Sequence, residues 1–111
     1  MRNMVDDIDF QDGVIELNDF YYEPEKSPEE QKWFFKQDIL QVQYDEGKYI
    51  LDLGWLPEFN LIEGAFKIVV VCNYDWDQPV FRRNAIEIDK AKFFIKEGIE
   101  LIRKLRCTRD G

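Results

Sequence analysis

The sequence predicts an α+β domain: an antiparallel, twisted sheet of four or five strands, with a C-terminal helix packed on one face and a short helix near an edge. Three observations predict it. Apolar residues alternate at period two through the middle of the chain, turn residues punctuate that alternation, and after Asp89 the spacing changes to three- and four-residue steps. The 111 residues are 45% hydrophobic and 15% aromatic, which is enough apolar surface for one core, so the chain reads as a single domain over 1–111.

The first segment, Asp6-Asp7-Ile8-Asp9-Phe10-Gln11-Asp12-Gly13, has the look of a calcium loop, but its register fails. With Asp7 first, the sixth position is Asp12 where glycine is required, and the twelfth is Asn18 where a bidentate glutamate is required. Residues 1–13 therefore read as a solvated, mobile acidic arm. Gly13 to Tyr22 suits a strand, with Val14, Ile15, Leu17, Phe20, Tyr21 and Tyr22. Ser27-Pro28-Glu29-Glu30 supplies a capping hydroxyl, a proline at the first helical position and a glutamate three residues after the cap, so a short helix runs to about Lys36.

Leu40, Val42 and Tyr44 share one face, and after Asp45-Glu46-Gly47 so do Tyr49, Leu51, Leu53 and Trp55; this is a hairpin. Leu56 precedes Pro57 and closes the second strand. Ala65 to Tyr74 is the most apolar strand, and valines on both of its faces place it centrally. Cys72 within it reads as a small buried hydrophobe. Val80 to Ile88 is a further strand opened by Pro79. Asp89 reads as the N-cap of a helix from Lys90 to about Arg106, whose stripe of Ala91, Phe94, Ile95, Gly98, Ile102 and Leu105 faces the sheet. Gly98 is expected to allow a close approach.

Composition excludes several chemistries. There is no His, one Ser (Ser27), one Thr (Thr108) and two Cys (Cys72, Cys107), so neither a Ser-His-Asp nor a Cys-His site can be built, and paired zinc ligands are missing. The expectation is no enzyme, no cofactor and no metal. The 23 acidic and 15 basic residues leave a net charge of -8, which disfavours direct binding to nucleic acid. The excess is uneven: residues 1–80 hold 18 acidic and 6 basic side chains, and residues 81–111 hold 5 and 9. The opening residues lack an apolar leader pattern and the longest apolar run, Ile68 to Cys72, is too short to span a bilayer; a cytoplasmic protein with no membrane partner is expected.

Four segments could carry chemistry or recognition. Glu46-Gly47-Lys48 has the E-x-K of certain nucleases, but it falls on a hairpin turn, where the two side chains do not share a strand face. Asp75-Trp76-Asp77 could be a contact surface with an aromatic flanked by acids, a weak Mg²⁺ site, or a lid on the edge of the core with solvated aspartates. In Gly54-Trp55-Leu56-Pro57-Glu58-Phe59, Trp55 suits the core and Glu58 the surface. Asp45 and Glu46 add carboxylates at the hairpin turn.

Leu-Asp-Leu-Gly-Trp-Leu-Pro-Glu-Phe at 51–59, the glycine-led strand at 64–71, Tyr-Asp-Trp-Asp-Gln-Pro at 74–79 and a terminal amphipathic helix follow one another in a familiar order. Over roughly residues 38–106 the chain resembles small cytosolic immunity proteins of bacterial polymorphic toxin systems, including those paired with contact-dependent growth inhibition toxins. The resemblance implies an α+β protein that binds the toxin domain of its own system and blocks its active site or substrate groove; such toxins are often basic nucleases. It carries no catalytic residues and points to Trp55, Pro57, Glu58, Asp75, Trp76, Asp77 and Pro79. The partner-binding expectation is thus Asp75, Trp76, Asp77, Glu58, Asp45 and Glu46. The alternatives are a phage-type nucleic-acid mimic that inhibits a DNA-binding enzyme, and a carboxylate-based metal-dependent hydrolase around Asp75 and Asp77. The oligomeric state is not legible.

Overall fold

A computed structural model describes residues 2–109, with side chains through Cys107; Met1 of the expected arm, and Asp110 and Gly111 of the domain range, lie outside the described residues. The order is β1 (Arg2–Asn3), β2 (Val14–Asn18), β3 (Tyr21–Tyr22), a 3-10 helix (Pro28–Phe34), β4 (Leu40–Tyr44), β5 (Tyr49–Leu56), β6 (Ala65–Cys72), β7 (Phe81–Ala85) and α1 (Ile88–Arg109). Five strands form an antiparallel sheet in the order β2-β4-β5-β6-β7, and β1 pairs with β3. The α+β expectation holds.

Register explains the two faces. Leu40 lies opposite Leu53, Val42 opposite Leu51, Leu51 opposite Val70 and Trp55 opposite Phe66, so one face is apolar from strand to strand. The other carries Gln41, Asp52, Val69 and Arg82 in one row across four strands. Helix α1 covers the apolar face, with Ala91, Ile95, Ile99 and Ile102 buried and Phe94 and Leu105 packed at the margin. The helix starts earlier than expected: the Ala91 N–H donates to the Glu87 carbonyl at 3.0 Å, so Asp89 sits in the first turn and is not the cap. Its carboxylate still faces the positive pole of the helix.

Two further differences share a cause, which is aromatic burial. The strand expected over Gly13 to Tyr22 divides, because Phe20 turns wholly into the core and the Asp19 N–H donates to the Ile39 carbonyl at 2.7 Å. Ser27 caps the next helix as expected, accepting from the Glu30 N–H, yet Gln31 at φ -130°, ψ 40° breaks the helical run and Phe34 and Phe35 both reach the core. β6 is interior, with β5 the middle strand. Cys72, at its end, is half-buried rather than buried.

Residues 2–13 are not a free arm. Val5, Ile8 and Phe10 are buried in the main core, and the Tyr44 hydroxyl donates to the Phe10 carbonyl at 2.9 Å. Burial, reinforced by the Asp12 carboxylate, pushes the Tyr44 phenol up to about 12, so it remains a donor. Asp7 pairs with Lys92 at 3.1 Å and Asp12 with Arg106 at 2.6 Å. The acids of this segment are solvated, as are Arg2 and Gln11, while Val5, Ile8 and Phe10 between them are core.

Candidate protein-binding surfaces

Five of the six expected contact residues lie on the β4–β5 turn and the β6–β7 loop, which the fold brings together. Asp45, Glu46 and Gly47 take φ of +53°, +56° and +95°, a left-handed run that turns the chain within four residues. The Asn73 N–H donates to the Lys48 carbonyl at 2.8 Å, and the Tyr74 hydroxyl lies against the place where a Cβ on Gly47 would stand. The backbone at Gly47 favours glycine, and the exposed Tyr74 ring packs over the space a side chain there would use. Beyond this contact the loop makes a second tight turn, in which Asp75 accepts from the Gln78 N–H with both its carbonyl and Oδ1 at 3.3 Å. Asp75 and Asp77 are exposed, and Trp76 is 46% exposed.

The acids at this end are not equivalent. Asp45 lies 3.0 Å from Arg106 of α1, so its charge is already opposed within the chain. Glu46, Asp75 and Asp77 face solvent. Glu58 stands apart at the other end of β5, where its Oε2 accepts from the Gln37 N–H at 2.9 Å.

Between these ends lies the sheet face that α1 leaves open. Trp76 and Pro79 join Gln41, Asp52, Val69 and Arg82 around a hollow of about 360 Å³. Ile50 and Val71, also on this face, are buried outside the main core. Asp52 is the half-buried carboxylate of the hollow: desolvation pushes its pKa up, the Gln41 amide donating to Oδ2 at 3.0 Å opposes that, and nearby Asp38 adds to it. Among the described residues no group of three or more His, Cys, Asp or Glu is placed to hold a metal ion. Asp75 and Asp77 thus have no third ligand of that kind beside them.

A second surface escaped the sequence reading. At the Trp55 end, a hollow of about 340 Å³ has Trp55 and Phe66 in its lining and Ile86 at its lip. A neighbouring one of about 560 Å³ is lined by Glu58, Phe59 and Ile62. Trp33 is 72% exposed and meets Phe59 edge-on at 5.0 Å between ring centres. One signal was available: Trp33-Phe34-Phe35 is a run of three aromatics, and a short helix cannot turn all three inward.

Trp55 and Pro57, which the resemblance singles out, belong to the fold at this end. Trp55 is buried, with its indole N–H donating to the Asn60 carbonyl at 2.9 Å, and Pro57 follows the end of β5. Fold and surfaces together define an α+β sheet-and-helix domain with aromatic and acidic side chains exposed at both ends of β5. No family profile, curated protein or solved structure matches this chain. No helix among the described residues is long and apolar enough to cross a membrane.

Proposed function

We propose that this chain is a non-catalytic immunity protein of the cytoplasm, which binds a cognate toxin domain, first of all a basic nuclease, and covers its active site or substrate groove. The observation that carries the reading is the juxtaposition of exposed Asp75, Asp77 and Glu46 with the half-exposed Trp76 on two loops joined by the hydrogen bond from the Asn73 N–H to the Lys48 carbonyl. An aromatic anchor supplies contact area, and surrounding carboxylates complement a groove built for phosphates. Opposite fields also speed encounter, from about 10⁵–10⁶ to as much as 10⁸–10⁹ M⁻¹s⁻¹ at low salt. For an antidote that speed is function. The proposal needs no cofactor, and its partner is a protein; nucleic acid and membrane are not contacted.

The test is co-expression with the product of the adjacent reading frame. Rescue of growth from a toxic neighbour, together with a co-purifying complex, is the expected result. A neighbour without toxicity, or a toxin that fails to bind this chain, overturns the reading. A host DNA-binding enzyme as the bound partner, in place of a toxin from an adjacent frame, would instead support the nucleic-acid-mimic alternative.

A further inference from the structure

We propose that the paired hollows at the Trp55 end form one docking groove for a partner segment that carries two apolar side chains flanked by lysine or arginine. The proposal rests on the reading of this chain as a binder of a basic protein and names a second contact surface for it, at the opposite end of β5 from Asp75 and Asp77.

The two hollows adjoin, with Glu29 and Leu61 lining both. Each has its own apolar lip: Ile86, 74% exposed, on one side and Ile62, 95% exposed, on the other. Side chains of this kind gain most from cover, since most of their apolar surface is in water. Two separate apolar lips beside adjoining hollows fit two anchors on a single segment, not one large side chain.

The rim decides the sign of the partner. Glu29 and Glu87 stand at the first hollow and Glu29 and Glu58 at the second, against a single cation, Lys32, among the residues lining them. The Lys32 ammonium leans over the Trp33 ring, 5.9 Å from its centre. A second copy of this chain would bring the same glutamates to the contact and a net charge of -8 with them. Like charges facing each other oppose that pairing, whereas a basic segment relieves it.

The experiment pans a random-peptide display library on the full-length chain and measures the enriched peptides against wild type and against Ile62→Glu and Ile86→Glu. Both isoleucines are exposed, so the two variants are expected to melt with the wild type. Enriched peptides should pair two apolar residues with flanking Lys or Arg, bind more weakly as salt rises, and lose about tenfold or more in affinity to each variant. Peptides that survive both substitutions and fail with Asp75→Lys would overturn the groove and leave the reading of a basic partner standing. Enrichment of neutral or acidic peptides would overturn both. The groove would also be lost if no sequence is enriched, or if light scattering finds a dimer that Ile62→Glu dissociates.

Discussion

Gly98 of α1 packs over Leu51 of β5 so closely that a methyl carbon at position 98 would stand 2.9 Å from the Leu51 Cδ1, and 3.3 Å from Val70 Cγ2. Leu51 and Val70 are fully buried in a close-packed core, which resists their displacement. Glycine costs about 1 kcal/mol relative to alanine in a helix interior, so propensity alone favours Gly98→Ala. Packing opposes it. Gly98→Ala is expected to lower Tm, Gly98→Leu to cost about 1–3 kcal/mol through overpacking, and Leu51→Val to recover part of the Gly98→Ala loss. A raised Tm for Gly98→Ala would show that the helix can lift from the sheet.

Leu53 and Ile102 face the same core from sheet and helix, at 0% and 1% exposure. Truncation of either to alanine should cost about 2–5 kcal/mol, read as a shift in urea midpoint with little change in slope. A loss well under 1 kcal/mol at both sites would mean the core collapses around the gap.

The pairs that fasten residues 2–13 to α1 should appear in the acid limb of the stability curve. Hydrogen bonds from Lys92 to Asp7 and from Arg106 to Asp12 hold both carboxyls below their ordinary value of 3.8. Stability from groups lowered on folding is present above the unfolded pKa and is lost as pH falls through the folded one. The double variant Lys92→Gln with Arg106→Gln should therefore melt below wild type at neutral pH, with the gap closing below pH 3.8. A gap independent of pH would assign the effect to packing of the side-chain stems.

Asp52 carries the opposite sign. Its pKa is raised on folding, so the stabilising contribution is complete below 3.8 and is lost as pH rises through the folded value. Asp52→Asn keeps an oxygen for the Gln41 amide and removes the desolvated charge. It should raise Tm at neutral pH, with the gain shrinking as pH falls toward 3.8. A lower Tm at neutral pH would mean that Lys67 or Arg82, which line the same hollow, hold that charge favourably.

Charge reversal at Asp75 and Asp77 tests the proposed function at residue level. Both are exposed and off the core, so Asp75→Lys with Asp77→Lys should leave Tm close to wild type. Association with the toxin should slow, and by less at high salt, because exposed charges act through encounter and are screened. Unchanged association kinetics, or a collapsed fold, would refute the assignment.

The central strands and α1 were legible because each repeats a pattern that one buried face enforces. The hairpin from Leu40 to Leu56 and the stripe through Ala91, Ile95, Gly98 and Ile102 are such cases. Residues 2–13 and 20–35 were harder to read, since Val5, Ile8, Phe10 and Phe20 enter the core from irregular backbone that has no period. Among the proposed contact residues, Asp75, Trp76 and Asp77 stand out in the sequence because an aromatic between two acids is a local composition. The groove of Glu29, Leu61 and Ile86 does not, because its members come from three separate segments.

By itself the sequence determined the fold class, the hairpin, the interior position of β6, the helix on the sheet and the chemistries that a chain without histidine cannot perform. These follow from periodicity and composition, which are properties of neighbouring residues and of the chain as a whole. Tertiary structure alone decided which acids are opposed by a cation within the chain. Asp7, Asp12 and Asp45 are opposed by Lys92 and Arg106, while Asp75, Asp77 and Glu58 are turned outward at opposite ends of the sheet. The reason is physical: charges far apart in the chain neutralise one another through space, and no count along the sequence records that distance.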